Sequence, residues 1–296
     1  MYVLIDDKIE IINDIREKDK LKKSVSKQVL NKYPLGGKRE EYIYTRYGKS
    51  HVYFYYPLNS KGIYPVFVNL HGGGFVKNHS DMDELFCRKI VNNVGCVVAD
   101  IDYKTAPEYV FPYALYECYD DIKWIHQNSS KFNIYSDKIA VGGHSAGANI
   151  SAGITLLANE LKEFTLCCQV LDYPVLDLYT DPLAKKGEAK ALSAEKEKFY
   201  TDMYIKSCDK KNPFASPVFY PEYKLKGMPL SVILTAEFDN FGAETKKYAS
   251  MLVKNGNEVM MKCFLGSSHG FTIDCREDFK GAQEMIFKAL KLSFYD

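Results

Sequence analysis

One pentapeptide constrains the fold of this chain more than any other stretch. Gly143-His144-Ser145-Ala146-Gly147 directly follows the apolar run 139–141, and residues 146–161 carry Ala, Ile and Leu at helical spacing. A strand, a sharp turn and a helix are therefore expected in that order. Small residues two positions on either side of a serine allow the turn that holds its hydroxyl where a base can reach the proton. The pattern predicts an α/β fold with a nucleophile elbow at Ser145.

A second glycine-rich stretch follows an earlier strand-like segment. His71-Gly72-Gly73-Gly74-Phe75 comes directly after the largely apolar residues 64–70. Ester or amide cleavage places negative charge on the carbonyl oxygen, and each backbone N–H directed at that oxygen lowers the barrier by roughly 2.7–4 kcal/mol. Three glycines alone are also typical of a flexible loop, but the elbow further along the chain favours a functional role. We expect the amides of Gly73, Gly74 and Ala146 to form an oxyanion hole.

The choice of base follows from chain order. In this architecture the serine comes first, then the acid, then the histidine on the loop after the last strand. The chain has six histidines, and His269 is the one downstream of Ser145, directly after the strand-like run 259–265. We therefore assign His269 as the base. His144 adjoins the serine, but successive side chains near a turn point apart, so we expect it to pack or hydrogen-bond locally.

Two aspartates compete for the role of the acid. Asp239 follows the strand-like run 229–236, and Asp172 follows another at 168–171. Some serine hydrolases take their acid from the earlier strand, so Asp172 remains an alternative, but Asp239 fits the chain order better. In this role a carboxylate fixes the histidine tautomer and stabilises the imidazolium. A helix N-cap is the non-catalytic alternative for either residue.

Together these motifs resemble the hormone-sensitive lipase-like branch of the α/β-hydrolases, a group of carboxylesterases with a His-Gly-Gly-Gly motif. The resemblance implies the α/β-hydrolase fold: a mostly parallel central sheet of about eight strands, helices on both faces and a helical cap. It also implies Ser145, Asp239 and His269 as the catalytic triad. Further matching motifs span most of the chain: Asp102-Tyr103, Ala106-Pro107-Glu108, Phe111-Pro112, Trp124, Ser216-Pro217 and His269-Gly270-Phe271.

The chain departs from the family pattern at two places beside the site. The family more often has Asp at the position of His144, and usually follows the acid with Pro-Leu where this chain has Asn240-Phe241. Neither departure removes a reacting group. Both make the family's substrate preferences harder to transfer to this chain.

Chain length and the resemblance predict a single α/β-hydrolase domain over residues 1–296. Its cap is expected to come from about residues 1–38 and about residues 175–225. Apolar residues three and four apart predict one helix over residues 8–33, and docking of that helix on the core is favoured over binding to a membrane surface. In the second cap segment Ser193 is expected to N-cap a helix.

Composition argues against several kinds of partner. A net charge of +1 supplies no basic field for nucleic acid. The N-terminus lacks the pattern of an export signal, and no apolar run approaches the roughly 18 residues of a membrane span, so we expect a cytoplasmic protein. Eight scattered cysteines without zinc-site spacing predict buried free thiols and no metal. No cofactor is expected, and a homodimer is left open.

The sequence thus predicts a metal-free serine carboxylesterase that hydrolyses small, short-acyl esters through an acyl-enzyme. An amidohydrolase, such as a formamidase or small peptidase, would use the same triad and is the main alternative. A ligand-binding homologue that has lost catalysis is the less favoured one, because all three triad members and the glycines are present.

Overall fold

The computed structural model describes residues 5–58, 62–185 and 191–296. Its strands form one sheet in the order β1-β2-β4-β3-β5-β6-β7-β8. The first two pairings, β1 with β2 and β2 with β4, are antiparallel, and the other five are parallel. The predicted mostly parallel sheet of about eight strands is therefore confirmed. The strands are β1 (Gly37–Thr45), β2 (Gly48–Tyr56), β3 (Tyr64–Leu70), β4 (Val97–Asp102), β5 (Ile134–His144), β6 (Cys168–Asp172), β7 (Leu230–Phe238) and β8 (Val259–Ser268).

Helices cover both faces of this sheet, as predicted. Parallel strands need such cover because both of their faces are apolar. Along β3, Val66 and Val68 pack in one buried cluster with α4 and α5, whereas Phe67 points to the other face and packs with α3 and α8. The helices are α1 (Ile5–Lys22), α2 (Lys27–Leu30), α3 (Asp81–Val94), α4 (Tyr113–Gln127), α5 (Ala146–Leu161), α6 (Ala194–Tyr204), α7 (Gly242–Lys254) and α8 (Phe279–Tyr295).

The N-terminal region differs from the prediction of one helix over residues 8–33. The structure divides it into α1 and α2, with residues 23–26 outside both helices. Ser26 begins the second helix, because its hydroxyl accepts a hydrogen bond from the N–H of Val29. In the break, the N–H of Val25 donates to Asp81, at the start of α3. Side chain–backbone contacts of this kind compete with a continuous helix, and apolar spacing does not reveal them.

The two segments expected to form a cap contain α1, α2 and α6. Residues 1–4 and 186–190 of these segments lie outside the described residues, and β1 already begins at Gly37, within the first segment. Ser193 caps α6 as predicted, its hydroxyl accepting from the N–H of Lys196. Among the described residues, no helix combines the length and apolar character needed to cross a membrane.

The eight cysteines are free, but the prediction that they are buried is only partly right. Cys87, Cys96, Cys118 and Cys168 are buried, whereas Cys208 is exposed and the other three are partly buried. Cys208 lies in a short 3-10 turn, Ser207–Asp209, directly after α6. That turn lies outside the apolar strands from which burial was inferred.

Candidate active site

The serine lies on a strained turn between β5 and α5. Ser145 has φ 53° and ψ −111°, a backbone conformation that non-glycine residues seldom adopt. The turn is tight because the end of β3 passes directly against it. A Cβ atom added at Gly143 or Gly147 would lie 2.2 Å or 2.0 Å from the carbonyl oxygen of Leu70. Glycine is therefore required on both sides of the serine, and the predicted elbow geometry is present.

The three residues predicted as a triad are brought together. His269 Nε2 lies 2.9 Å from Ser145 Oγ, and His269 Nδ1 lies 2.9 Å from Asp239 Oδ2. Asp239 follows β7 and His269 follows β8, so these neighbouring parallel strands deliver the acid and the base to the same edge of the sheet. The other oxygen of Asp239 accepts from the N–H of Phe241, which fixes the carboxylate.

The surroundings of His269 favour its protonated form. Burial alone would lower the pKa of this imidazole. The charge and hydrogen bond of Asp239, together with the charges of Glu197 and Asp172, outweigh burial and hold the pKa of His269 above its ordinary value. An imidazole in this setting can accept a proton from Ser145 and hold it as a stabilised imidazolium.

The rival acid, Asp172, has a different partner. Its Oδ2 lies 2.8 Å from Nδ1 of His144, and both side chains are buried. Thr272 donates to its other oxygen at 3.3 Å. Burial raises the pKa of the Asp172 carboxyl. His144 thus makes a hydrogen bond within the protein, as expected, and Asp172 does not contact His269 through a hydrogen bond among the described residues.

The glycine loop, residues 71–75, lies beside the serine, and Tyr103 fixes its first residue. Gly73 and Gly74 have φ 129° and 63°, and a Cβ added at Gly74 would lie 2.3 Å from the ring of Tyr200. Tyr103 donates its hydroxyl to the carbonyl oxygen of His71 and stacks on the His71 ring at 4.0 Å. Within the described ranges, no backbone acceptor is found for the amides of Gly73, Gly74 and Ala146. Amides without a partner are what the predicted oxyanion hole requires.

A cavity of about 240 Å³ opens above the serine. The glycine loop, the end of α1, α6 and the loop after β8 line it. One part of its wall is apolar, with Val175, Leu192 and Phe241. The charged side chains at the cavity include four lysines: Lys22, Lys23, Lys77 and Lys196.

Sequence reasoning missed the side chains that α6 contributes to this cavity. Glu197, Tyr200 and Thr201 all line it, three and four positions apart on one helical face. That spacing is visible in the sequence. Which way the helix docks is not, because docking depends on packing against distant residues such as Phe75, whose ring stacks on Tyr204 at 3.9 Å.

Comparison with known proteins agrees with this fold. The family model described as alpha/beta hydrolase fold matches residues 67–273. The chain belongs to this family. The expected resemblance to hormone-sensitive lipase-like hydrolases is confirmed by that match and by esterase relatives, and the protein is a hydrolase.

Three relatives illustrate the similarity. An arylesterase of Saccharolobus solfataricus is 31% identical over 207 residues, which are 69% of this chain and 67% of the relative. The carboxylic ester hydrolase LipN of Mycobacterium tuberculosis is 30% identical over 227 residues, 73% of this chain and 60% of the relative. A hyperthermophilic esterase from Pyrobaculum calidifontis superposes with a TM-score of 0.86 at 30% identity, covering 95% of this chain and 93% of that one.

These relatives support ester hydrolysis as the reaction. The sequence matches span only 60 to 67% of the two curated relatives' own length, whereas the structural match spans nearly all of the Pyrobaculum calidifontis chain. Within the part of the chain that the structure describes, no three His, Cys, Asp or Glu side chains are grouped so as to bind a metal ion.

Proposed function

We propose that this hydrolase is a serine carboxylesterase with Ser145, Asp239 and His269 as its triad. The observation that supports it best is the continuous hydrogen-bonded chain from Asp239 through His269 to Ser145, with 2.9 Å at each step. The glycine loop beside the serine and the strained turn that presents it add to the argument.

The proposed reaction has two halves. Ser145 Oγ attacks the ester carbonyl while His269 Nε2 takes its proton, and the amides of Gly73, Gly74 and Ala146 donate to the oxyanion. His269 then gives the proton to the leaving alcohol, so that an acyl-enzyme remains. In the second half water attacks the acyl carbon while His269 takes a proton from it. The bond between the acyl carbon and Ser145 Oγ then breaks, His269 returns the proton to Oγ, and the acid is released. Asp239 stabilises the imidazolium throughout.

The esterase reading is preferred over the alternatives for separate reasons. An amidohydrolase would use the same residues, but the relatives named above are esterases. A non-catalytic homologue would have no need to keep a strained serine within hydrogen-bond distance of a histidine.

Substitution of the serine tests the mechanism directly. Ser145→Ala is expected to lower kcat on p-nitrophenyl esters by about 10⁶-fold, because triad members act as a unit. A fluorophosphonate probe should label the wild type at Ser145 alone, and circular dichroism should show the alanine variant folded. Labelling at another residue, or near-normal turnover by the folded alanine variant, would refute the proposal.

The substrate is proposed to be a small ester with a short acyl chain. A cavity of about 240 Å³ offers little apolar volume, and lysines occupy part of its lining. Binding energy that a long chain cannot realise in the transition state does not raise the rate. On p-nitrophenyl esters, kcat/KM should peak at acyl chains of roughly two to six carbons. A maximum at about twelve or more carbons would contradict this prediction.

We further propose that about residues 1–38 and about residues 175–225 act as a cap that forms walls for the acyl and alcohol groups and shields the cavity from bulk water. The end of α1 and one face of α6 both line the cavity, which supports this role. The cytoplasmic location stays a prediction, and a homodimer stays open.

A further inference from the structure

A buried charged cluster joins the cap segment to the body of the protein. Lys185 Nζ lies 2.8 Å from Glu197 Oε1 on α6 and 2.9 Å from Glu244 Oε2 on α7. It also donates to the carbonyl oxygen of Asp177 at 3.0 Å. All three charged side chains are less than one-tenth exposed. The Lys185 ammonium group is thus paired with the carboxylates of both Glu197 and Glu244.

The two carboxylates differ in how completely they are hydrogen-bonded. Glu244 Oε1 accepts from the N–H groups of Leu176 and Asp177, at 2.6 and 3.1 Å, and its Oε2 contacts Lys185. Glu197 Oε2 has no hydrogen-bond partner among the described residues, although Glu197 is only 4% exposed. An unsatisfied acceptor on a buried carboxylate is unfavourable. A donor from outside the protein would satisfy it.

Glu197 faces the substrate cavity. It lines the cavity with Tyr200 and Thr201 on the same face of α6. Its charge also contributes to the raised pKa of His269, which places the carboxylate within electrostatic range of the base. Glu197 therefore forms part of the wall beside which an ester would bind.

We propose that Glu197 Oε2 accepts a hydrogen bond from a hydroxyl group of the substrate, so that the enzyme prefers hydroxylated esters to the same esters without the hydroxyl. This inference rests on the proposed carboxylesterase function. A neutral donor is sufficient, because Oε1 of the same carboxylate already pairs with the Lys185 ammonium group. The cavity lining carries four lysines and four carboxylates, so its formal charges balance and give an ammonium group no advantage.

Matched pairs of esters test the preference in the wild-type enzyme. Methyl butanoate against methyl 3-hydroxybutanoate places the hydroxyl on the acyl side, and ethyl butanoate against 2-hydroxyethyl butanoate places it on the alcohol side. We expect kcat/KM, measured from acid release in a pH-stat, to be at least about tenfold higher for the hydroxylated member of one pair. Equal values within both pairs would overturn the inference. Faster turnover of 2-aminoethyl butanoate than of 2-hydroxyethyl butanoate would overturn it too.

Two isosteric variants then test whether Glu197 is the residue that recognises the hydroxyl group. Glu197→Gln should reduce the hydroxyl preference to about twofold or less. Glu244→Gln also removes a carboxylate that pairs with Lys185, but residue 244 does not line the cavity, so this variant should keep the wild-type ratio. A ratio cancels any effect on His269, because both esters of a pair use the same base. An unchanged ratio in Glu197→Gln, or an equal loss in Glu244→Gln, would contradict the assignment.

The outcomes separate this inference from the proposed function. Hydrolysis of the plain esters without any hydroxyl preference defeats only the role of Glu197. Failure of the wild type to hydrolyse all of these esters and a p-nitrophenyl ester defeats the carboxylesterase proposal itself. The wild-type comparison needs no variant, so instability of Glu197→Gln cannot hide the result.

Discussion

Two histidine–aspartate pairs lie near the serine, and they differ at the second ring nitrogen. Nε2 of His269 reaches Ser145 Oγ. Nε2 of His144 is buried and has no hydrogen-bond partner among the described residues, while Phe86 packs edge-on against its ring. Only the pair of His269 and Asp239 can therefore pass a proton to or from the serine.

This difference predicts opposite results for two isosteric substitutions. Asp239→Asn should lower kcat about 10⁴-fold, because an amide no longer holds His269 in the tautomer that accepts the serine proton. Asp172→Asn, the matched control, should lower kcat far less and act mainly on stability, because it breaks a buried pair with His144. Steady-state kinetics and thermal melts of both variants measure this. If folded Asp172→Asn lost more kcat than Asp239→Asn, the assignment of Asp239 as the acid would be wrong.

The raised pKa of His269 predicts the acid limb of the pH profile. The base must be neutral to take the serine proton, so kcat/KM should fall as pH decreases through the pKa of His269 in the free enzyme. Because Asp239 and Glu197 hold that pKa above the ordinary 6.5, half-maximal kcat/KM should lie above pH 6.5. The measurement uses a neutral ester between about pH 5 and about pH 9. A rate that stays constant down to about pH 6 would exclude the raised pKa.

At the scale of elements, one arginine attaches α1 to the body of the protein. The Arg16 guanidinium forms a bidentate ion pair with Glu108, at 2.6 and 2.7 Å. It also donates to the carbonyl oxygens of Val76 and Ala106. Val76 follows the glycine loop directly, so the helix and that loop share a fixed support.

Removing this support should affect substrate binding more than chemistry. Arg16→Met is expected to raise KM at least about threefold with a smaller change in kcat, because the end of α1 lines the cavity, whereas the hydrogen bonds that join the triad do not involve this helix. Lys18→Met is the matched control, since the ion pair that this exposed lysine forms among the described residues is with Asp14, within α1. The same increase of KM in both variants would show that charge, rather than attachment of the helix, is responsible.

The sequence predicts those features that depend on residues close together in the chain. The apolar run before Ser145, the glycines beside it and the position of His269 after an apolar run each depend on a few neighbouring residues. The break between α1 and α2 depends on Asp81, and the free oxygen of Glu197 depends on a lysine shared with Glu244. Contacts between distant segments leave no pattern in a single sequence, so these features became visible only in the folded chain.

For the whole molecule, the apolar packing predicts one cooperative unfolding transition. Ile12 of α1 and Tyr204 of α6 belong to the same buried cluster as Val66 and Val68 of the sheet. The cap segments therefore should not melt before the rest. Fluorescence of Trp124, the single tryptophan of the chain, and far-ultraviolet circular dichroism should give coincident curves in urea. An earlier transition in the circular dichroism alone would show that the cap unfolds separately.

The position of β8 at the edge of the sheet has a consequence for biosynthesis. The elbow and the glycine loop emerge from the ribosome early, whereas the proposed base follows β8, which pairs with β7. A nascent chain therefore carries an unactivated serine until residues 259–269 have been translated and added to the sheet. With His269 as the proposed base, catalysis is expected only after β8 has docked, so product formation in a translation reaction would time the addition of this strand.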